Sequence, residues 1–496
     1  MTKQKVLVVG AGLGGLCTAL RLAKKGFAVE ILEKHHQAGG RLNQIKQDGF
    51  TFDVGPSFFS MSYEFDELFK SCNIANPLSF NELDPLYAVY FSDKTKPYLI
   101  HKDLKKLALE FPNEKDFELK AKKYLAAAKG IFHDTEYRIV KRNYNSLFSY
   151  AKALASVPLK HAPKLFKNMW SELESHFTTQ EVKVIFSLVA FFLGATPFDT
   201  PAVYSLLNYT ELEHDGYWNV QGGMYKIVEV MLKELQKEGV KITYHTEIVS
   251  YESQNQVITG LTDKQGHTHV ADLYVINADA AAFRGKIFKQ EKFSTEKLDK
   301  MDWTLAPFTI YLGVKGKIPN FYHHNYFLGS NFNEYADKIF KSSVAPEKPY
   351  YYVNVSSVHN PDSAPENCEN LFILCPVPDL RYKKDWNDAE GLADNIVADL
   401  GKRIGYDILN QTLTRKVMPP TEWESTFNLY RGSGLGLAHG LNQVAAMRPA
   451  NKDEKYKNVY YVGASTVPGT GLPIVVISSR LVQERIEQDL KELVTA

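Results

Sequence analysis

Residues 5–42 read KVLVVGAGLGGLCTALRLAKKGFAVEILEKHHQAGGRL, and few folds accommodate that order. Val6-Leu7-Val8-Val9 is a continuous apolar run of the kind that forms a strand buried on both faces. It runs into Gly10, Gly12 and Gly15, spaced G-x-G-x-x-G. The first glycine permits a tight turn, the second lets backbone approach a pyrophosphate, and the third lets the following helix pack on the strand. Leu13 and Gly14 sit inside this turn, and Leu16, Leu20 and Ala23 continue at helical spacing until Gly26. A second strand, 27–32, ends at Glu33, 18 residues beyond Gly15, where an acid can meet a ribose hydroxyl. The helix N-terminus adds free N–H groups and a positive dipole end for phosphate. The whole order, rather than the glycines alone, predicts a bound dinucleotide. Glu33 would repel a 2′-phosphate, which disfavours NADP here.

A second glycine turn follows. Lys34 succeeds the acid, and Gly39-Gly40-Arg41-Leu42 leads to an expected hairpin around Asp48-Gly49, then to Gly55-Pro56-Ser57. An NAD site has no need of Gly-Gly-Arg at this point. A longer flavin dinucleotide does, since an arginine can neutralise phosphate charge.

With these residues in place the chain resembles the glutathione-reductase-like flavoproteins, and within them the bacterial-type carotenoid desaturases. The resemblance runs through nearly the whole length. Residues 191–235, with Gly222-Gly223-Met224 before a helix, look like that family's central block; 239–251 and 271–283 look like its returning strands. Residues 439–482, HGLNQVAAMRPANKDEKYKNVYYVGASTVPGTGLPIVVISSRLV, look like its signature tail and are the most specific piece. In that tail 459–462 reads as a strand, 463–465 and 468–471 as turns, and Pro473 as the first residue of a helix. The resemblance implies FAD as cofactor, with Gly463 and Ala464 at the ribityl chain and pyrophosphate. It implies Leu472, Pro473, Ile474 and Val475 beside the isoalloxazine, and the backbone of Ile248 near adenine. Many members carry His, Gln or Thr before the Pro-Gly of the tail; Val467 stands there in this chain. The expectation is that Val467 packs.

Composition narrows the rest. The chain has 496 residues, enough for two or three domains, with 44% hydrophobic and 23% charged residues and a net charge of +1. No global field recruits nucleic acid. Cys17, Cys72, Cys368 and Cys375 form no CxxC pair, which fits a reducing compartment. No apolar run reaches transmembrane length, the longest being 184–195, and no export signal is read ahead of the first strand. No metal-ligand spacing stands out, and His35-His36 and His323-His324 read as loop residues. One local asymmetry appears: 137–171 has no acid but contains Arg138, Lys141, Arg142, Lys152, Lys160, Lys164 and Lys167, interleaved with Tyr144, Phe148, Tyr150, Phe166 and Trp170. That pattern suits docking on an anionic membrane face, and a cytoplasmic, peripherally membrane-associated protein is expected.

The expected fold is α/β: a glutathione-reductase-like FAD-binding Rossmann domain from 1–85, 215–290 and 440–496, interleaved with an α+β substrate domain from 86–214 and 291–439 whose helical part faces the membrane. Helices are expected over 102–110, 114–129 and 146–155, and strands over 307–314 and 350–355. Walls of an apolar channel are expected from 184–195 and around Phe308 and Tyr311. The resemblance implies hydride loss from an allylic C–H to the flavin, and so no protein nucleophile or catalytic side chain is singled out. It points first to a 1-hydroxycarotenoid 3,4-desaturase, with phytoene desaturase or a carotene isomerase as alternatives and oxygen or a quinone as electron acceptor. A flavin amine oxidase shares the fold but usually carries an acid where this chain has Ala464. A Rab-escort-like lipid carrier shares the architecture without the flavin; the complete glycine motif, Glu33 and Gly39-Gly40-Arg41 argue against it.

Overall fold

The computed structural model describes residues 3–144, 146–279 and 281–495. Asn145, in the acid-free stretch, and Ala280, in the returning strand, lie outside the described residues, as do Met1, Thr2 and Ala496. A five-stranded parallel sheet runs in the order Val459–Tyr461, Leu273–Ile276, Lys5–Val9, Ala28–Leu32, Lys241–Thr243. Lys5–Val9 lies at its centre, with Val8 opposite Val275 on one side and Ile31 on the other. Burial on both faces explains its unbroken apolar run. Helices Leu13–Lys24, Lys226–Lys237 and Leu472–Thr495 pack together on one face, burying Leu16, Leu20, Val228, Met231 and Val482 in one core.

A seven-stranded mixed sheet runs Thr412–Met418, Ala306–Lys315, Cys368–Val377, Tyr351–Asn354, His324–Leu328, Tyr87–Phe91, Tyr98–Ile100. Its pairs are antiparallel except His324–Leu328 with Tyr87–Phe91. Strand periodicity divides Ala306–Lys315 between two cores. Phe308, Ile310, Leu312 and Val314 face the core shared with helix Ala389–Ile404, whereas Tyr311 faces Phe52 and Phe372. The helices Leu104–Glu110, Phe117–Thr135 and Leu147–Ala155 stand close to where the hydrophobic periodicity puts them. The apolar run 184–195 breaks into the end of helix Gln180–Ser187 and a tight 3₁₀ segment, Leu188–Leu193, closed by Gly194 at φ 69°.

The hairpin Asn43–Gln47/Phe50–Val54 forms its own two-stranded sheet and packs on the seven-stranded one. Its Phe50 is buried against the seven-stranded sheet, where a Cβ on Gly313 would lie 2.6 Å from the ring. Gly313→Val should therefore lower stability by about 1–3 kcal/mol, the cost of overpacking a filled core. Thermal unfolding checks this, and an unchanged midpoint would mean that the hairpin yields freely.

Candidate active site

The first glycine turn is crowded from one direction. The Gly10 N–H donates to Leu32 O at 2.7 Å, and φ at Gly10 is 98°. A Cβ at Gly15 would fall 2.2 Å from Gly10 O. At Gly12 and Gly14 it would fall 2.8 Å from the Nδ2 and Oδ1 of Asn277. Asn277 follows strand Leu273–Ile276; its N–H donates to Val9 O at 2.8 Å and its Nδ2 to Gly10 O at 3.2 Å. A Cβ on Gly463, in the tail turn, would also meet Asn277 Oδ1, at 3.3 Å. The second glycine pair docks on the first: the Gly39 N–H donates to Ala11 O at 2.8 Å. The motif reading did not find Asn277. Its signal is the Asn-Ala-Asp at the end of a returning strand, which means nothing until that strand is paired with the first.

These groups fit a dinucleotide. No side chain caps helix Leu13–Lys24 and no acid stands in its first turn, so its leading N–H groups face the cradle. Glu33 is buried and accepts from the N–H groups of Ala11 at 2.7 Å and His35 at 2.9 Å, which fixes its carboxylate at the rim. Arg41 donates to Gly434 O at 2.8 Å. Burial lowers its pKa, and the Asp279 carboxylate opposes that by favouring the charged form. Asp279 accepts from Ser465 Oγ and the Ala281 N–H, both at 2.9 Å. Behind the tail turn, the buried Arg448 donates to five carbonyls, those of Leu437, Ala438, Gln443, Ala464 and Thr466. It ties 437–443 to 464–466.

Every candidate cofactor residue except Gly15 lines one cavity of about 1800 Å³. Gly15 sits behind the wall, where its role is helix-to-strand packing. The same cavity continues between apolar side chains, among them Leu188, Phe191, Phe192 and Leu207, and reaches Leu154, Leu159 and Leu165. Ordinary small-molecule sites are about 300–1,000 Å³, so this one has room for a dinucleotide and a second long ligand. Of the expected channel walls, 188–194 contributes. The segment around Phe308 and Tyr311 contributes through Leu305, Ala306 and Pro307, whereas Phe308 and Tyr311 themselves are committed to the two cores flanking their strand. Val467 packs with Ile477 and Leu481 and does not reach the cavity. Of the pair His323-His324, both are buried, but only His323 lies in a loop; His324 starts a strand and stacks on Phe58 at 3.9 Å. His439, missed from sequence, lines the cavity. Its Nε2 accepts from the Thr470 N–H at 3.2 Å, and burial, with the Arg448 charge nearby, holds its imidazole neutral, well below its usual range.

The acid-free stretch is less positive in space than in sequence. Lys141 pairs with Glu64 and Glu136, Lys164 and Lys167 with Glu172, and Arg138 and Lys160 with Asp134. All four acids lie outside 137–171. Trp170 is buried against Phe198 and Phe332 and is no surface anchor. What the stretch exposes is apolar: Phe148 at 80%, Leu159 at 86% and Phe166 at 88%. Leu159 belongs to both the surface and the cavity wall, which puts an opening of the cavity among these side chains.

The profile of the family described as flavin containing amine oxidoreductase matches residues 13–486. A zeta-carotene-forming phytoene desaturase of Myxococcus xanthus is 32% identical over 97% of this chain and 94% of its own length. A 1-hydroxycarotenoid 3,4-desaturase of Flavobacterium sp. (strain P99-3) is 28% identical over 97% and 99%. Among solved structures, a putrescine oxidase bound to putrescine covers 99% of each chain with a TM-score of 0.62 at 13% identity, which shows a shared fold.

Replacing Gly12 with Leu should abolish flavin retention, because the side chain would enter the space beside Asn277 and the turn. Glu33→Ala should weaken retention by about 1–3 kcal/mol, the scale of a charged hydrogen bond. Flavin absorbance per mole of purified protein measures both; a fully loaded Gly12→Leu protein would refute the cradle.

Proposed function

The chain belongs to the bacterial-type carotenoid desaturases within the flavin-containing amine oxidoreductases, and on that premise we propose that it desaturates the 3,4 bond of a 1-hydroxylated carotenoid. It is an FAD-dependent oxidoreductase acting on CH–CH bonds, and its substrate is an apolar carotenoid. The observation that carries the reading is the single cavity in which a glycine cradle opens into a long apolar lumen. The bond specificity draws on the likeness to the Flavobacterium enzyme, which extends over 99% of that enzyme's length. Phytoene desaturation is the second reading, favoured by the 32% identity with the Myxococcus xanthus enzyme.

The candidate residues fall into roles on this reading. Gly10, Gly12, Gly14 and the N–H groups after them hold the pyrophosphate, Glu33 the adenosine ribose, and Arg41 the phosphate charge. Gly463 and Ala464 would meet the ribityl chain and pyrophosphate, and 472–475, at the start of helix Leu472–Thr495, would sit beside the isoalloxazine, where the helix N-terminus favours negative charge. FAD, when bound, supplies the hydride acceptor. The chain supplies dryness and alignment: Leu188, Phe191, Phe192 and Leu207 offer a polyene no hydrogen bond and exclude water from a developing allylic cation. The same reading assigns 1–85, 215–290 and 440–496 to the cofactor and 86–214 and 291–439 to the substrate.

A carotenoid resides in a bilayer, so the cavity mouth should meet one. Among the described residues no helix is long and apolar enough to cross a membrane. Peripheral docking through Phe148, Leu159 and Phe166 suits both facts. Within the stretch, among the described residues, only Arg142 and Lys152 carry no ion pair, so attraction to anionic lipid is about 2 kcal/mol.

Purified protein given liposomes containing phytoene, lycopene, γ-carotene or 1-hydroxylated carotenoids should extend the polyene of the hydroxylated substrates fastest, read as a red shift in absorbance. Fastest turnover of phytoene would favour the second reading. Phe148→Glu with Phe166→Glu should reduce flotation with vesicles while flavin content is kept. Raised salt should weaken the wild type only modestly, and flotation equal to wild type would move the docking surface elsewhere.

A further inference from the structure

Among the polar groups along the apolar lumen, one is backed by a buried acid that the cofactor reading does not use. Glu211 is 2% exposed and lies in the helical turn Thr210–His214, behind the wall formed by Thr210, Tyr217 and Tyr326. Among the described residues no cation pairs with it. The Asn208 amide donates to its Oε2 at 3.4 Å, and Asn208 is itself held by the Tyr124 hydroxyl at 2.7 Å. The hydroxyls of Tyr87 and Tyr217 lie close to the carboxylate and favour its charged form, yet Oε1 completes no hydrogen bond. Burial prevails and pushes its pKa up to about 7. A buried acid with no counter-charge and an unused acceptor atom is costly unless something else meets it.

Tyr217 brings that group to the cavity. Its ring packs on Phe58 at 4.9 Å, and Phe58 directly follows Gly55-Pro56-Ser57, the segment assigned to the flavin. Tyr217 thus touches the residue next to the segment assigned to the flavin, and on the proposed reading this marks the reacting end of the lumen. A 1-hydroxycarotenoid carries its oxygen only a few bonds from carbons 3 and 4. Desaturation of that bond requires the hydroxyl to sit beside the flavin while the polyene points outwards. We propose that the Tyr217 hydroxyl, backed by the Glu211 carboxylate, binds the terminal hydroxyl of the carotenoid and so sets which end enters and which bond reaches the flavin. With substrate bound, the Tyr217 O–H would turn to the unpartnered Oε1 of Glu211, leaving its oxygen lone pairs to accept the substrate's O–H. The proposal rests on the carotenoid desaturase reading above and assigns the specificity residues within it.

The test compares hydroxylated and unhydroxylated forms of one carotenoid as a pair. For the holoenzyme, both the ratio of kcat/KM and the ratio of Kd are measured, Kd from quenching of protein fluorescence. Tyr217→Phe keeps the ring packing and removes the hydroxyl. It should reduce both ratios about 10- to 100-fold, and Glu211→Gln, which keeps an acceptor oxygen, should reduce them less. Flavin content and thermal midpoint report folding. Ratios unchanged in Tyr217→Phe, including an equal fall on both substrates, would overturn the anchor. A wild type that turned over neither carotenoid would contradict the desaturase reading, and its Kd ratio would still decide the anchor.

Discussion

The structure depends on how closely three chain segments approach one another at Asn277. The turn after strand Lys5–Val9, the end of strand Leu273–Ile276 and the tail turn at Gly463 meet at that residue, whose backbone N–H donates to Val9 O and whose Nδ2 donates to Gly10 O. No Cβ can be added at Gly10, Gly12, Gly14 or Gly15 without striking this junction or the turn itself. The glycines are therefore required twice. On the proposed reading they free backbone N–H groups for phosphate, and they let the central strand and its neighbour terminate in contact. Arg448 plays the corresponding part behind the tail turn, where one guanidinium donates to five carbonyls of two segments.

The substrate half is built on the opposite principle. Its lining is mostly aromatic and aliphatic, which excludes water. His439 remains uncharged. Glu211 sits one layer back, behind a tyrosine. A lumen of this kind discriminates poorly among long polyenes by dispersion alone, since each added methylene changes binding by little. Selectivity must come from rare polar contacts, and the proposed Tyr217–Glu211 anchor would be one.

Local patterns made much of this legible beforehand. The strand, glycine turn, helix and acid of 5–33 form a contiguous signal, and the helices 117–135 and 147–155 follow a 3.6-residue period. What escaped was set by contacts distant in sequence. Asn277 has no meaning until its strand pairs with Lys5–Val9. Lys164 and Lys167 look like free surface charge until Glu172, just beyond the acid-free stretch, folds back on them. Phe308 and Tyr311 lie in a strand buried on both faces, so alternation could not say which side carried the lumen. His323-His324 resembles a polar loop, but strand pairing with Asn354 draws His324 into the core.

The interleaved sheet also sets an order of assembly. Strand Val459–Tyr461 completes the sheet by pairing with Leu273–Ile276, which itself pairs with Lys5–Val9. A chain emerging from the ribosome can form the hairpin Asn43–Val54 and the helices of 104–155 early, since their contacts are local. The cradle around Asn277 must wait for residues made more than 400 positions after the first strand. Until then the inner strands present unpaired edges and apolar faces, a state prone to aggregation. Yield of folded protein should therefore be governed by translation speed and chaperone supply more than by the stability of the finished fold.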